Sequence, residues 1–406
     1  MSQLNEPKPS SGTDGGQPKL AEFLRRRQNA FAKTLKEKNI HLAFFEDTEG
    51  RRDPSVRYFT GQPSDALLII TAEGKSILIP WDVNMAREMA TVDAILPYTD
   101  FGRNATTTLS QILCRKDCLG ELPAEISLEL PPSTPYPAYQ NYQQAISQTM
   151  ENCSTPKAVR LLCREDGVHQ DAVHMRAIKD EYEIYCIKRA AAITDQLILL
   201  LEQGVRDGSI TTELDAALLI ERECRAAGCE GTGFETLAAG PQRSFGIHCF
   251  PPYTAGAFPA QGLSILDFGV VVEGYTSDVT LTFAKGPLTA EQQQQLDLVQ
   301  AAYDAALELY KPGLPIKEAA QKVDAIFAAA GRTMPHSLGH GYGLEAHEWP
   351  TVRPSQPDSA CFQPGMVVTL EPGLYDPSIG GCRLENDILI TEEGNQVLTK
   401  ARIIHL

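Results

Sequence analysis

Two aspartates inside one apolar hairpin, Asp267 and Asp278, constrain this chain more than any other feature. They lie in S-I-L-D-F-G-V-V-V-E-G-Y-T-S-D-V-T-L-T-F, where both flanks are β-prone and Glu273-Gly274 marks the turn. A tight turn between them places the two carboxylates nearly opposite each other on one face. Exposed acids beside a surface turn are the plainer reading, but Ile265-Leu266 and Val270-Val271-Val272 ask for burial. Like charges opposed in a buried sheet are destabilising unless a cation sits between them.

Three further segments repeat that problem. Glu371 ends the apolar run M-V-V-T-L-E-P-G-L-Y, and Glu385 lies in G-G-C-R-L-E-N-D-I-L-I-T, where Arg383 is a ready partner. A buried carboxylate needs a cation or an arginine. The stretch H-S-L-G-H-G-Y-G-L-E-A-H-E over 336–348 holds His336, His340 and His347, three of the chain's 8 histidines. Gly339, Gly341 and Gly343 let backbone there run close to a neighbour or ligand. Two Asp, two Glu and one His on apolar strands make an oxygen-rich site with room for two divalent ions, of Mn²⁺ type rather than a cysteine-bound zinc.

The rest of the chain bounds the setting. At 406 residues it is too long for one ordinary core, so two domains are expected. A formal net charge of −16 argues against nucleic acid or an anionic membrane as partner, and no run approaches a membrane span. The 10 cysteines are scattered without a CxxC, which reads as reduced thiols in the cytoplasm. Residues 1–18, rich in Gly, Ser and Pro, read as a disordered leader without a targeting signal.

In order, an amphipathic helix is expected from Leu20, then strands over 42–45, 56–59, 66–70 and 76–79, a strand over 124–130 and a helix around 139–150. This is a small α/β domain over 19–165. The domain over 166–406 starts with one long helix over 175–203 stopped by Gly204, then a helix over 212–227, then a β region with His248, Asp267 and Asp278. The pattern repeats: helices over 289–310 and 316–330, then a β region with His340, Glu371 and Glu385. Two units of helix, helix and β region suggest an internal duplication.

These motifs resemble the pita-bread metallopeptidases, which include methionine aminopeptidase, aminopeptidase P and prolidase. The resemblance covers about residues 170–400 through the aspartate pair, G-H-x-x-G-x-x-x-H-E, E-P-G-x-Y and R-x-E-x-D. R-Y-F-T-G (57–61) and the L-L-I-I-T-A-E-G-K hairpin resemble the lid domain of aminopeptidase P and prolidase, which methionine aminopeptidases lack. The implied class is α+β, a pita-bread catalytic domain behind a smaller α/β creatinase-type domain. The implied metal ligands are Asp267, Asp278, His340, Glu371 and Glu385, holding two divalent ions, Mn²⁺ first and Co²⁺ or Zn²⁺ next. Glu371 doubles as base, His347 steadies the oxyanion, and His248 stands near the leaving nitrogen. His336 lines the proline pocket, while Arg383 and Tyr375 stand around the glutamates.

The activity implied is hydrolysis of the bond before proline in small peptides, by a homodimer in the cytoplasm. Many short prolidases place an arginine directly after H-E-W-P. Here that position is Thr351, with Arg353 two residues on, and Leu281 replaces an arginine common after the second aspartate. Both departures leave Xaa-Pro aminopeptidase open beside Xaa-Pro dipeptidase. Creatinase and the pita-bread domains that only bind peptides or proteins usually lose ligand positions, and all five are kept here.

Overall fold

The computed structural model describes residues 19–151, 153 and 156–406, and the chain divides into two units at Arg176/Ala177. The expected leader, 1–18, lies outside the described residues.

The first unit is a six-stranded mixed sheet flanked by helices. Ala66–Thr71 pairs antiparallel with Leu42–Asp47 and with Ser76–Pro80, through the expected hairpin turn. Leu42–Asp47 pairs parallel with Glu125–Leu130, which pairs parallel with Ala158–Cys163. One expected strand is a helix. Ser55–Thr60 turns because Asp53 accepts a hydrogen bond from Ser55 N (2.9 Å), Pro54 precedes the first turn, and Gly61 closes the last at φ 81°. The cysteine reading also changes: Cys114 and Cys153 are bonded, their Cα atoms 5.6 Å apart, well within disulfide reach. The other eight are free.

The second unit carries two runs of helix, helix and strands, as the pattern over 175–400 suggests. Its first helix is not one piece. Val168–Ala177 ends before it, and Glu181–Asp207 starts at Asp180, whose side chain and that of Glu183 form a reciprocal capping box. Residues 178–180 are extended there, with Ile178 bridged to Met366 and Lys179 N donating to Gly365 O (2.9 Å). Gly204 does not stop the helix, which ends at Gly208 (φ 80°). A Cβ at 204 would stand 2.8 Å from Ile210, so that glycine permits close packing.

The strands form two main sheets. One runs Ile403–His405, Val279–Lys285, Gly262–Phe268, Leu237–Ala239; the other runs Glu348–Val352, Gly339–Gly341, Val367–Leu370, Asn386–Ile390, Asn395–Val397. A single bridge, Thr280 to Glu385, ties a strand of the first to the connection entering the second. Helices Glu181–Asp207, Glu213–Ala226, Ala290–Leu307 and Ile316–Ala329 cover the sheets, and one continuous apolar core runs between the layers.

The hairpin that opened the sequence reading is present, with one shift. Glu273 (φ 52°) and Gly274 (φ 86°) make its two-residue turn, the left-handed pair that such hairpins favour. Asp267 pairs with Thr280, so Asp278 lies two residues along from direct opposition, on the same face. The alternation that turns 278 and 280 to one face turns Leu281 to the other, into the core. Leu281 is thus a packing residue, away from the carboxylates.

Gly269 holds the two strands close: a Cβ there would sit 1.9 Å from the Ser277 carbonyl oxygen. Gly269→Ala is expected to lower unfolding free energy by about 1–3 kcal/mol, the cost of overpacking against backbone. Urea unfolding tests this, and a midpoint equal to the parent's contradicts it.

Candidate metal centre

Five chain segments deliver the acidic residues and their histidine to one place. Asp267 comes from Gly262–Phe268, and Asp278 directly precedes Val279–Lys285. His340 is central in Gly339–Gly341, Glu371 follows Val367–Leu370, and Glu385 precedes Asn386–Ile390. All five line one cavity of about 350 Å³ together with His248, His347 and Arg383. Phe234, Leu237, Phe250 and Pro252 give it an apolar wall.

Ligand atoms of Asp278, His340 and Glu385, all three buried, lie within 4.8 Å of one another. His340 Nδ1 is 3.2 Å from Gly341 O, a contact that needs the proton on Nδ1. The Nε2 lone pair is then left facing Glu371 Oε1 (3.4 Å) and Asp278 Oδ2 (3.8 Å). A lone pair facing two carboxylates is repulsive unless a proton or a cation stands among them, and an imidazole fixed through its other nitrogen is how proteins present a metal ligand. Asp267 Oδ2 accepts from Arg383 Nη2 (2.5 Å), while its buried Oδ1 has no hydrogen-bond partner. The donor set therefore fits a divalent metal.

The electrostatics agree. Burial first, and then the neighbouring carboxylates, push Asp278 and Glu371 well above the usual carboxylate range. Burial and Asp267 raise Glu385 to about 7. Burial and His347 push His340 down to about 3, and burial lowers His336 to about 4, so both imidazoles stay neutral.

Other expected residues fall around this group. His347 stacks near His340, ring centroids 4.1 Å apart. The loop bearing it is held by Glu348, which accepts from Leu344 N (3.0 Å) and from Lys179 Nζ (3.0 Å) in an ion pair whose side chains are 1% and 3% exposed. Tyr375 Oη accepts from Arg383 Nη1 (2.8 Å) and lies 3.0 Å from His336 Nε2, so Arg383, Tyr375 and His336 form a chain that ends 3.7 Å from Glu371. His248 lines the cavity from the loop between Leu237–Ala239 and Gly262–Phe268. Arg353 is exposed, just past Glu348–Val352, and does not line the cavity; Thr351 pairs with His340 across the strands.

The sequence reading missed a supporting layer. Thr280 Oγ1 accepts from Arg383 Nε (2.8 Å) and donates to Glu385 Oε2 (2.6 Å). Thr369 Oγ1 accepts from His340 N (3.1 Å). Both oxygens of buried Asp387 accept from Asp278 N (3.2 Å each). Their signal was present as strand parity: Thr280 is two residues from Asp278, Thr369 two from Glu371, and Asp387 two from Glu385.

Comparison with known proteins agrees with this geometry. The profile of metallopeptidase family M24 matches residues 185–392, and that of the creatinase/prolidase N-terminal domain matches 27–161. A Xaa-Pro dipeptidase of Pyrococcus horikoshii is 30% identical over 355 residues, 86% of this chain and 91% of that protein. The crystal structure of the prolidase from the same organism superposes with a TM-score of 0.76 at 27% identity, covering 93% of this chain and 99% of that one. An X-Pro aminopeptidase of Thermotoga maritima shares the fold at a TM-score of 0.77 and 24% identity, over 93% and 99% of the two chains.

The shifts carry a stability consequence for metal-free protein. Glu385, raised to about 7, and Asp278 and Glu371, also raised, favour the fold while protonated, and that contribution is lost as pH rises through their folded values. His340 and His336, depressed from 6.5, act oppositely and have finished titrating in the unfolded chain by slightly above that pH. The Tm of chelator-treated protein should therefore fall as pH rises from about 6.5 through the folded value of Glu385, about 7, and saturating divalent metal should remove the fall. A flat Tm in chelated protein over that window contradicts the assignment.

Proposed function

The chain belongs to metallopeptidase family M24, and on that premise we propose that it hydrolyses the bond preceding proline in small peptides, as a Xaa-Pro dipeptidase. The observation that carries the proposal is the His340 Nε2 lone pair set among Asp278, Glu371 and Glu385 at the floor of an apolar-walled cavity. Similarity over most of both chains to the Xaa-Pro dipeptidase of P. horikoshii supports the choice of substrate.

In this reading Asp267, Asp278, His340, Glu371 and Glu385 hold two divalent ions. Their oxygen-rich chemistry suits Mn²⁺. When bound, the ions supply Lewis acidity and a nucleophile at neutral pH. The protein's own groups do the rest. Glu371, at the end of Val367–Leu370 and lining the cavity, would take the proton of the attacking water. His347, exposed at the cavity wall, donates to the developing oxyanion, and its loop is fixed by the buried Lys179–Glu348 pair. His248 stands at the leaving nitrogen. His336, kept neutral and tied to Ser337 O and Tyr375 Oη, is not among the residues lining the cavity; in this reading it shapes the proline side from behind Tyr375 and Glu371. The reading extends to the cytoplasm, for which eight free cysteines argue and the Cys114–Cys153 bond does not. It also extends to a homodimer.

One observation favours the longer-peptide alternative, Xaa-Pro aminopeptidase. A dipeptidase gains selectivity by capturing the substrate's C-terminal carboxylate. Among the described residues lining the cavity Arg383 is the one arginine or lysine, and Asp267 already engages it. Arg353, exposed and outside the lining, is the substrate-binding arginine of the dipeptidase reading.

Metal-loaded enzyme should hydrolyse Ala-Pro, and chelation or Asp278→Asn should reduce it to background. Release of alanine from Ala-Pro and from Ala-Pro-Ala, compared by kcat/KM, separates the two readings: preference for Ala-Pro supports the dipeptidase, preference for the tripeptide the aminopeptidase, and no cleavage of either defeats both. His347→Ala should lower kcat by about 10²–10³-fold, the worth of one oxyanion donor, with KM for Ala-Pro little changed. An unaltered kcat removes His347 from that role.

A further inference from the structure

The loop that brings His248 to the cavity has almost no regular structure. It leaves Leu237–Ala239, makes an excursion over residues 241–253, and returns to the sheet at Gly262. Four of the residues lining the cavity, His248, Cys249, Phe250 and Pro252, lie on this excursion. Phe250 is 94% exposed, so burial of that ring holds nothing in place. Something else must fix the loop.

Glu213, the first residue of the helix Glu213–Ala226, is placed to do so. Its side chain is 1% exposed. One oxygen, Oε1, accepts from Gly240 N (2.7 Å), where the excursion begins. The other, Oε2, accepts from Thr254 N (2.7 Å) and Thr254 Oγ1 (2.6 Å), where it ends. Oε2 also accepts from Arg243 Nη1 (2.6 Å), and Arg243 Nη2 reaches on to the Pro251 carbonyl. A single carboxylate thus closes the neck of the loop across both ends and, through Arg243, braces its interior. The neck is tight: a Cβ at Gly240 would stand 2.4 Å from Ala257 O. Backbone bonds from Glu213 N to Gly256 O and from Leu214 N to Thr254 O (2.9 Å each) keep the helix start against the same strand of chain.

Glu213 does not line the catalytic cavity. We infer that Glu213 is a positioning residue for the reaction: its buried carboxylate staples the loop 241–253 and so sets where His248 stands at the substrate. The inference rests on the role proposed for His248. The chemistry requires a carboxylate, because every group around it is a donor, four hydrogen bonds into two oxygens. Glutamine would turn an N–H₂ toward donors at one end of the neck, whichever way it faced.

The test uses the full-length, metal-loaded protein. Glu213→Gln is compared with the parent by hydrogen–deuterium exchange, metal stoichiometry and kcat/KM for Ala-Pro, alone and combined with His248→Ala. The expected result is faster exchange in 241–253 with strands 262–285 and 367–390 unchanged, and full metal content. The expected loss in kcat/KM is about 10–100-fold, as for a displaced catalytic group. In the His248→Ala background Glu213→Gln should cost little more, because it acts through that histidine. Parent-like kcat/KM, a loss fully additive with His248→Ala, or faster exchange spread through the metal-bearing strands overturns the inference. If Glu213→Gln yields no folded protein, Thr254→Ala removes one donor only; faster exchange in the loop with a smaller loss supports the staple, and parent-like exchange overturns it. Should the parent itself not cleave Ala-Pro, the proposed activity fails while the exchange experiment still decides the staple.

Discussion

Everything in the catalytic unit depends on holding Asp267, Asp278, Glu371, Glu385 and Asp387 in a nearly dry interior. Isolated ionised carboxylates are not tolerated there, and several together are worse. The structure answers with cations and donors in layers. Arg383 takes Asp267, Thr280 caps one oxygen of Glu385, and Asp278 N fills both oxygens of Asp387. What stays unsatisfied, Asp267 Oδ1 and the His340 lone pair among its acids, is what a divalent ion satisfies.

That centre dictates the scaffold. Its proposed ligands come from two sheets, one for each run of helix, helix and strands, and meet at the Thr280–Glu385 bridge. Strands are suited to this because alternate residues share a face: in Val279–Lys285 the polar face carries Thr280 and Thr282 to the site while Val279, Leu281 and Phe283 fill the core. The histidines that do not belong to the ligand set, 248, 336 and 347, come from loops instead. Loops need external bracing, and two ion pairs on buried glutamates supply it, Lys179–Glu348 and Glu213–Arg243.

Much of this was legible in the sequence, for physical reasons. Acids inside apolar runs announce burial, and burial announces a counter-charge, so Asp267, Asp278, Glu371 and Glu385 could be picked out before any fold was known. Capped helices such as that starting at Thr289 carry their own punctuation. Less visible was whatever depends on distant partners. Residues 56–59 are β-prone yet form a helix between Pro54 and Gly61, and the break at 178–180 exists because Gly365 and Met366 pair with it. Glu213 is, in sequence, one acid among many at a helix start; its four donors are contributed by residues 240–254, and no local pattern reports them.

The central claim is that these side chains form a two-metal centre, and anomalous diffraction from crystals of the protein grown with Mn²⁺ tests it most directly. The account predicts two anomalous peaks in the catalytic cavity, among Asp267, Asp278, His340, Glu371 and Glu385. Peaks confined to the surface, or a cavity without anomalous density at saturating Mn²⁺, would contradict it.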